Sequence, residues 1–61
     1  MKSSELIRIL KKDGWIIIRQ KGSHMIMLHS EKANQLTVPN HGSQEVGTGL
    51  ANKILKDAGL K

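Results

Sequence analysis

The chain has 61 residues and no cysteine, so it is long enough for one small domain and excludes both a disulfide framework and a cysteine zinc site. Ten Lys and Arg against five Asp and Glu give a formal net charge of +5, which favours a polyanion such as nucleic acid, an acidic protein or an anionic surface. No apolar stretch reaches the roughly 20 residues that cross a bilayer, and residues 1–14 do not resemble a signal peptide. We expect a single soluble domain over residues 1–61, located in the cytoplasm and without a cofactor.

The first predicted element is a helix that ends at Gly14, a residue able to adopt the left-handed conformation common at helix C-termini. Ser3 or Ser4 is expected to cap its N-terminus. Its apolar residues recur at three- and four-residue spacing, which indicates one buried helix face: Leu6, Ile7, Ile9 and Leu10.

A β-hairpin is predicted next, because residues 15–18 and 25–28 have strand composition and flank a short polar segment with a glycine. A two-residue loop at Gly22 and Ser23 would pair Lys21 with His24 and Arg19 with Ile26. Side chains alternate along a strand, so this hairpin would have two distinct faces. One face would carry Trp15, Ile17, Arg19, Lys21, His24, Ile26 and Leu28, and the other Ile16, Ile18, Gln20, Met25, Met27 and His29.

A third strand is predicted at residues 35–38 and ends at Pro39, which cannot donate to a sheet ladder; residues 31–34 would form the preceding turn. Residues 40–45 have the composition of a loop. A second helix follows up to Ala58, with Gly59 as its C-terminal cap and an ordered start near Thr48. Its helical spacing is carried by Val46, Leu50, Ile54 and Leu55.

This order of elements predicts an α+β fold, α-β-β-β-α, in which two helices cover one face of a three-stranded antiparallel sheet. The other face of the sheet would stay open. Both faces of the hairpin carry apolar residues, so the pattern leaves open which face the helices cover.

The Gly22-Ser23-His24 segment, directly after the basic residues Arg19 and Lys21, is the strongest chemical signal in the chain. An imidazole titrates near neutral pH and can transfer protons during phosphodiester cleavage, while neighbouring cations suit a phosphate substrate. The alternative is that His24 is a polar residue at a strand start and that Arg19 and Lys21 form a solvated strand end. Ser23 fits a turn residue better than a nucleophile, since no triad partner is placed beside it.

The remaining candidates have simpler structural explanations. His29 should point away from His24 if the strand is regular, and His41 lies in a loop; both are expected to be structural. Trp15 could stack on a base, but a core position is favoured. No carboxylate cluster or metal-ligand spacing is present, which favours a metal-independent reaction in which a ribose 2′-OH attacks its own phosphate.

Nearly the whole chain resembles the HicA (YcfA-like) toxins of bacterial and archaeal toxin–antitoxin systems. The matching segments are residues 2–7, 14–15, 21–24, 36–39, 47–48 with Leu50, 54–56 and 58–60. The resemblance implies a double-stranded-RNA-binding-domain-like fold and a type II toxin that cleaves mRNA, inhibits translation and is neutralised by a HicB-type antitoxin.

On this sequence the resemblance makes His24 the catalytic residue, and we expect Arg19, Lys21 and Ser23 to contact RNA. A free toxin is expected to be a monomer. Two other hypotheses stay open: the chain is a non-catalytic RNA-binding module, or it is a domain whose main role is to dock an acidic protein partner.

Overall fold

The computed structural model describes all 61 residues and contains two helices and three strands. In chain order they are α1 (Ser3–Asp13), β1 (Ile16–Lys21), β2 (His24–His29), β3 (Lys32–Pro39) and α2 (Thr48–Asp57). The strands form one antiparallel sheet in the order β1-β2-β3. The predicted α-β-β-β-α arrangement is therefore confirmed. Neither helix is long and apolar enough to cross a membrane.

The helices cover the face of the sheet that carries Met25 and Met27, which settles the choice that the sequence left open. Twelve buried hydrophobic residues form one core between the two layers: Leu6, Leu10, Trp15, Met25, Met27, Leu36, Val38, Val46, Ala51, Ile54, Leu55 and Ala58. His24 and Ile26 alternate with the two methionines along β2 and therefore lie on the opposite, open face.

Helix α1 ends at Gly14, as predicted, through two backbone hydrogen bonds that need a left-handed residue. Gly14 has φ of 109°, and its N–H donates to the Lys11 carbonyl while the Trp15 N–H donates to the Leu10 carbonyl. Helix α2 ends with the same pair of bonds around Gly59, whose φ is 79°. These two ends fix the directions in which the chain leaves each helix.

The predicted strict alternation of β1 is wrong before Arg19. The register shifts between Ile17 and Arg19, so that Ile17 pairs with Met27 and Ile16 with Leu28. Ile16 and Ile17 therefore exchange the faces that a regular strand would give them, because a bulge adds one residue to one strand. All six residues of β1 are exposed, which is consistent with its position at the edge of the sheet.

Strand β3 begins earlier than the sequence predicted. It starts at Lys32, which pairs with His29, so the tight turn between β2 and β3 occupies residues 30–31 and the predicted turn over residues 32–34 is wrong. Lys32 also binds groups that are distant in the sequence, and such contacts leave no local signal.

Those contacts form a polar junction, defined here as Asp13, Trp15, Lys32 and the Ala58 carbonyl. The Lys32 ammonium donates to the Asp13 carboxylate at 2.7 Å and to the Ala58 carbonyl at 2.6 Å, and Trp15 Nε1 donates to the same carboxylate at 3.2 Å. The polar junction thus joins the C-terminal ends of both helices to the start of β3. The hydrogen bond from Lys32, together with the Lys32 positive charge and the Trp15 hydrogen bond, holds the pKa of Asp13 below its ordinary value.

The polar junction predicts an acid dependence of stability. Because the folded pKa of Asp13 lies below the reference value of 3.8, its stabilising contribution is present above that value and is lost as pH falls through the lower folded pKa. We expect Asp13→Asn to be less stable than wild type at pH 7 and to lose less stability between pH 5 and pH 2, as measured by urea midpoints on this pH range.

Asp57→Asn is the matched control, since the Asp57 carboxylate pairs only with Lys53 on the exposed side of α2. Glu45, whose pKa is lowered by its hydrogen bond to the N-terminal ammonium, adds the same acid dependence to every variant and cancels in the comparison. Parallel pH curves for wild type and Asp13→Asn would contradict the prediction.

Candidate catalytic cleft on the open sheet face

An open cleft of about 620 Å³ lies on the face of the sheet that the helices leave uncovered. Its lining residues come from the β1–β2 hairpin and from β3: Arg19, Lys21, Gly22, His24, Ile26 and Thr37. Three of the four predicted site residues therefore lie together in one concave surface.

The hairpin places these residues as the sequence predicted. Lys21 pairs with His24 and Arg19 with Ile26, across a two-residue turn in which Gly22 has φ of 60°. Paired residues in antiparallel strands point to the same face, so the imidazole and both cations emerge on the same side of the sheet. The bulge in β1 precedes Arg19 and leaves this part of the register regular.

The cleft combines an accessible imidazole with positive charge that no carboxylate neutralises. His24, Arg19 and Lys21 are all exposed, and neither cation takes part in any salt bridge of the chain. The His24 ring makes no hydrogen bond within the chain. Such a surface can bind a phosphate and present a proton-transfer group to it.

Ser23 lies beside the cleft and does not line it. The residue is half-buried in the hairpin turn, and its carbonyl accepts a 2.7 Å hydrogen bond from the Asn40 N–H. Its backbone therefore ties the β1–β2 turn to the end of β3. Contact of the Ser23 side chain with RNA stays a prediction.

His29 and Trp15 have the structural roles that the sequence favoured. Nε2 of His29 lies 2.7 Å from the Asp13 carbonyl oxygen, and Nδ1 accepts the Glu31 N–H at 3.0 Å. Because a carbonyl oxygen only accepts, Nε2 carries the proton, and both ring nitrogens are occupied. Trp15 is 1% exposed and packs edge-on against this ring, with 5.4 Å between ring centroids.

Neither Ser3 nor Ser4 caps α1, which corrects the sequence prediction: the N-cap position is Lys2, and it has no side-chain cap. The Ser3 hydroxyl, fully buried, donates to the Pro39 carbonyl and accepts the His41 N–H at 3.1 Å. The first amides of α1 are bound by loop carbonyls instead, Ser3 N–H by Gln44 and Ser4 N–H by Gly42. The start of α1 thereby holds the loop that follows β3.

Sequence reasoning missed Thr37 as part of the cleft lining. Thr37 pairs with Ile26, and it alternates with the buried residues Leu36 and Val38. That alternation was visible in the sequence, and it places Thr37 on the same face as His24 once the buried face is known. Nowhere do three His, Asp or Glu side chains come together as a possible metal site.

Comparison with known proteins identifies the family of this chain. Residues 3–60 match the family described as HicA toxin of bacterial toxin-antitoxin. The chain belongs to the HicA toxin family. It is 41% identical, over 61 residues, to a protein of Pseudomonas fluorescens (strain Pf0-1) named probable mRNA interferase HicA; the alignment covers 100% of this chain and 98% of that protein. The family resemblance drawn from the sequence is thus confirmed.

The buried Ser3 hydroxyl generates a prediction about stability. Ser3→Ala leaves the part-buried Pro39 carbonyl and His41 N–H without their partner, which should lower the free energy of unfolding by about 1–3 kcal/mol. Ser4→Ala is the matched control, because Ser4 is exposed and exposed substitutions change stability by about 0.5 kcal/mol or less. Chemical denaturation measures both, and equal effects of the two substitutions would contradict the role given to Ser3.

Proposed function

We propose that this HicA-family toxin is an endoribonuclease that cleaves mRNA, with His24 as its catalytic residue. The observation that carries the proposal is the cleft itself: an exposed imidazole beside two unpaired cations on a sheet face that the helices leave uncovered. The name of the Pseudomonas relative, probable mRNA interferase, supports the same activity. Residues 1–61 would form one catalytic domain.

The chemistry follows from the side chains in the cleft. His24 moves a proton during attack of a ribose 2′-OH on the adjacent phosphorus, which breaks the bond to the 5′-oxygen and leaves a 2′,3′-cyclic phosphate. Arg19 and Lys21 hold the phosphate and stabilise the negative charge that builds up on its oxygens. Positioned acid–base catalysis of this kind contributes about 10²–10⁴ in rate. This route uses no metal and no cofactor.

A HicB-type antitoxin is the proposed inhibitor. A toxin of this family implies an antitoxin, and an acidic protein surface would complement the net charge of +5 and the cations of the cleft. An antitoxin bound in the cleft would prevent RNA binding and cover His24 at the same time. We propose that the free toxin is a monomer that acts on mRNA in the cytoplasm.

The His24 role is tested with purified protein, a mixed mRNA and a chelator in the buffer. We expect wild type to cleave, and His24→Ala to bind RNA with unchanged affinity and to lose cleavage by about 10²-fold or more, because an exposed ring without internal hydrogen bonds contributes to chemistry and not to folding. Products are separated on denaturing gels, and binding is measured by fluorescence anisotropy.

His29→Ala is unsuitable as a control, because both nitrogens of that ring bind backbone groups. Thr48→Ala, at an exposed position at the start of α2, is the control that should cleave like wild type. Binding without cleavage by wild type would reassign the domain as a non-catalytic RNA-binding module. Equal cleavage by wild type and His24→Ala would remove His24 from the mechanism.

The phosphate-binding role of the cleft predicts a change in salt dependence. Lys21→Gln removes one cation from the lining and should lower the slope of log K against log[salt] for single-stranded RNA by about 0.7. Lys56→Gln removes an exposed cation from α2, on the helix-covered side of the sheet, and should leave the slope unchanged. If the slope of log K against log[salt] fell in Lys56→Gln alone, the RNA would bind to the helices and not to the cleft.

A further inference from the structure

Cleavage by a 2′-OH needs two proton transfers, and His24 is one proton-transfer group. A base removes the proton of the 2′-OH, and an acid supplies a proton to the departing 5′-oxygen. The chain has three histidines, and His29 has both ring nitrogens bound to backbone groups. His41 is therefore the remaining imidazole, and its place relative to His24 follows from the strand register.

The pairing of β2 with β3 carries His41 toward His24. His24 pairs with Pro39, and the Asn40 N–H donates to the Ser23 carbonyl at 2.7 Å, which continues the same register by one residue. His41 comes next, two residues beyond the partner of His24. Diagonal positions across a regular antiparallel pair lie roughly 7–8 Å apart, a separation that two imidazoles can bridge around one phosphate.

Strand β3 ends at Pro39 and His41 does not line the cleft, but the hydrogen bonds of the next residues keep the spacing of a strand: the Asn40 N–H donates to the Ser23 carbonyl, and the Ser3 hydroxyl bridges the Pro39 carbonyl and the His41 N–H. Continued alternation of side chains would put His41 at the edge of the cleft. Thr37 lines the cleft, and Pro39 and His41 follow it at two-residue intervals. Asn40, between them, faces the other way: its side-chain amide donates to Gln20 Oε1 at 3.3 Å, and Gln20 pairs with the buried residue Met25.

The backbone of His41 is held while its side chain is exposed. The buried Ser3 hydroxyl accepts its N–H, and its carbonyl accepts the Gln44 N–H at 3.2 Å. Ser3 is the one buried polar residue of the chain. A buried hydroxyl used in this way fixes where the imidazole starts and leaves the ring free to meet a ligand.

We propose that His41, at the edge of the cleft, is the second catalytic residue, paired with His24 in the cleavage of RNA. One imidazole takes the 2′-OH proton as the 2′-oxygen bonds to phosphorus; the other, as imidazolium, gives its proton to the 5′-oxygen as the P–O5′ bond breaks. The products are a 2′,3′-cyclic phosphate and a 5′-OH end. This inference rests on the ribonuclease activity proposed above.

The test compares two short RNA substrates with one scissile linkage, one natural and one with sulfur in place of the bridging 5′-oxygen. A thiolate leaves without a proton, so the sulfur substrate does not need the acid. We expect a bell-shaped pH profile of kcat/KM for wild type on the natural RNA, and a fall of about 10²–10⁴-fold in both His24→Ala and His41→Ala. Each variant should lose a different limb of the bell, and one variant should recover on the sulfur substrate.

Ser43→Ala is the matched control, because Ser43 is exposed in the same loop and its side chain makes no hydrogen bond. The proposal is overturned if His41→Ala keeps the wild-type kcat/KM on natural RNA. It is also overturned if the rate falls while both limbs of the pH profile persist and the sulfur substrate brings no recovery, since that result assigns His41 a structural role. Failure of wild type itself to cleave would refute the ribonuclease activity and this inference with it.

Discussion

The antiparallel pairing of β2 with both neighbours is the constraint on which the rest of the structure depends. Because side chains alternate, the register that buries Met25 and Met27 under the helices also turns His24 and Ile26 to the open face. A slip by one residue would exchange the two sets, exposing the core and burying the imidazole. The hairpin turn at Gly22 thus fixes the core and the site together.

Outside the core, polar groups hold the helices in place. The polar junction binds the C-terminal ends of both helices to β3, while the Ser3 hydroxyl and the first amides of α1 bind the loop after β3. A chain of this length buries about 60% of its unfolded surface, which leaves a thin hydrophobic core. These connections act at the two ends of the sheet and orient the layers that the core alone would fix less firmly.

The features that could be predicted from sequence are those set by local chemistry. Gly14 ends α1 and Gly22 sets the hairpin because each occupies a conformation that other residues resist, and the Lys21–His24 pair follows from the turn. The covered face of the sheet could not be predicted, since both faces offered apolar side chains. The bulge before Arg19 was missed, and so was the early start of β3 at Lys32, a residue whose partners are distant in the sequence.

The site was predicted in part, because its main residues are close together in the sequence. His24 and its cations lie within one hairpin, so their grouping needs only the turn and the alternation of side chains. The approach of the loop after β3 depends on Ser3, which the sequence presents as an ordinary helix cap; only the folded chain shows its hydroxyl bound to Pro39 and His41.

The open face explains how activity and inhibition can share one surface. The core lies between the sheet and the helices. The cations and the imidazole on the open face can therefore change without disturbing the packing of the helices. The His24 ring has no internal hydrogen bond, so a bound phosphate held by Arg19 and Lys21 would have to orient it. An acidic partner bound to the same cations would exclude the substrate phosphate, and with it the group that orients the ring. Exposure of the site therefore makes the proposed enzyme easy to inhibit by simple occupation.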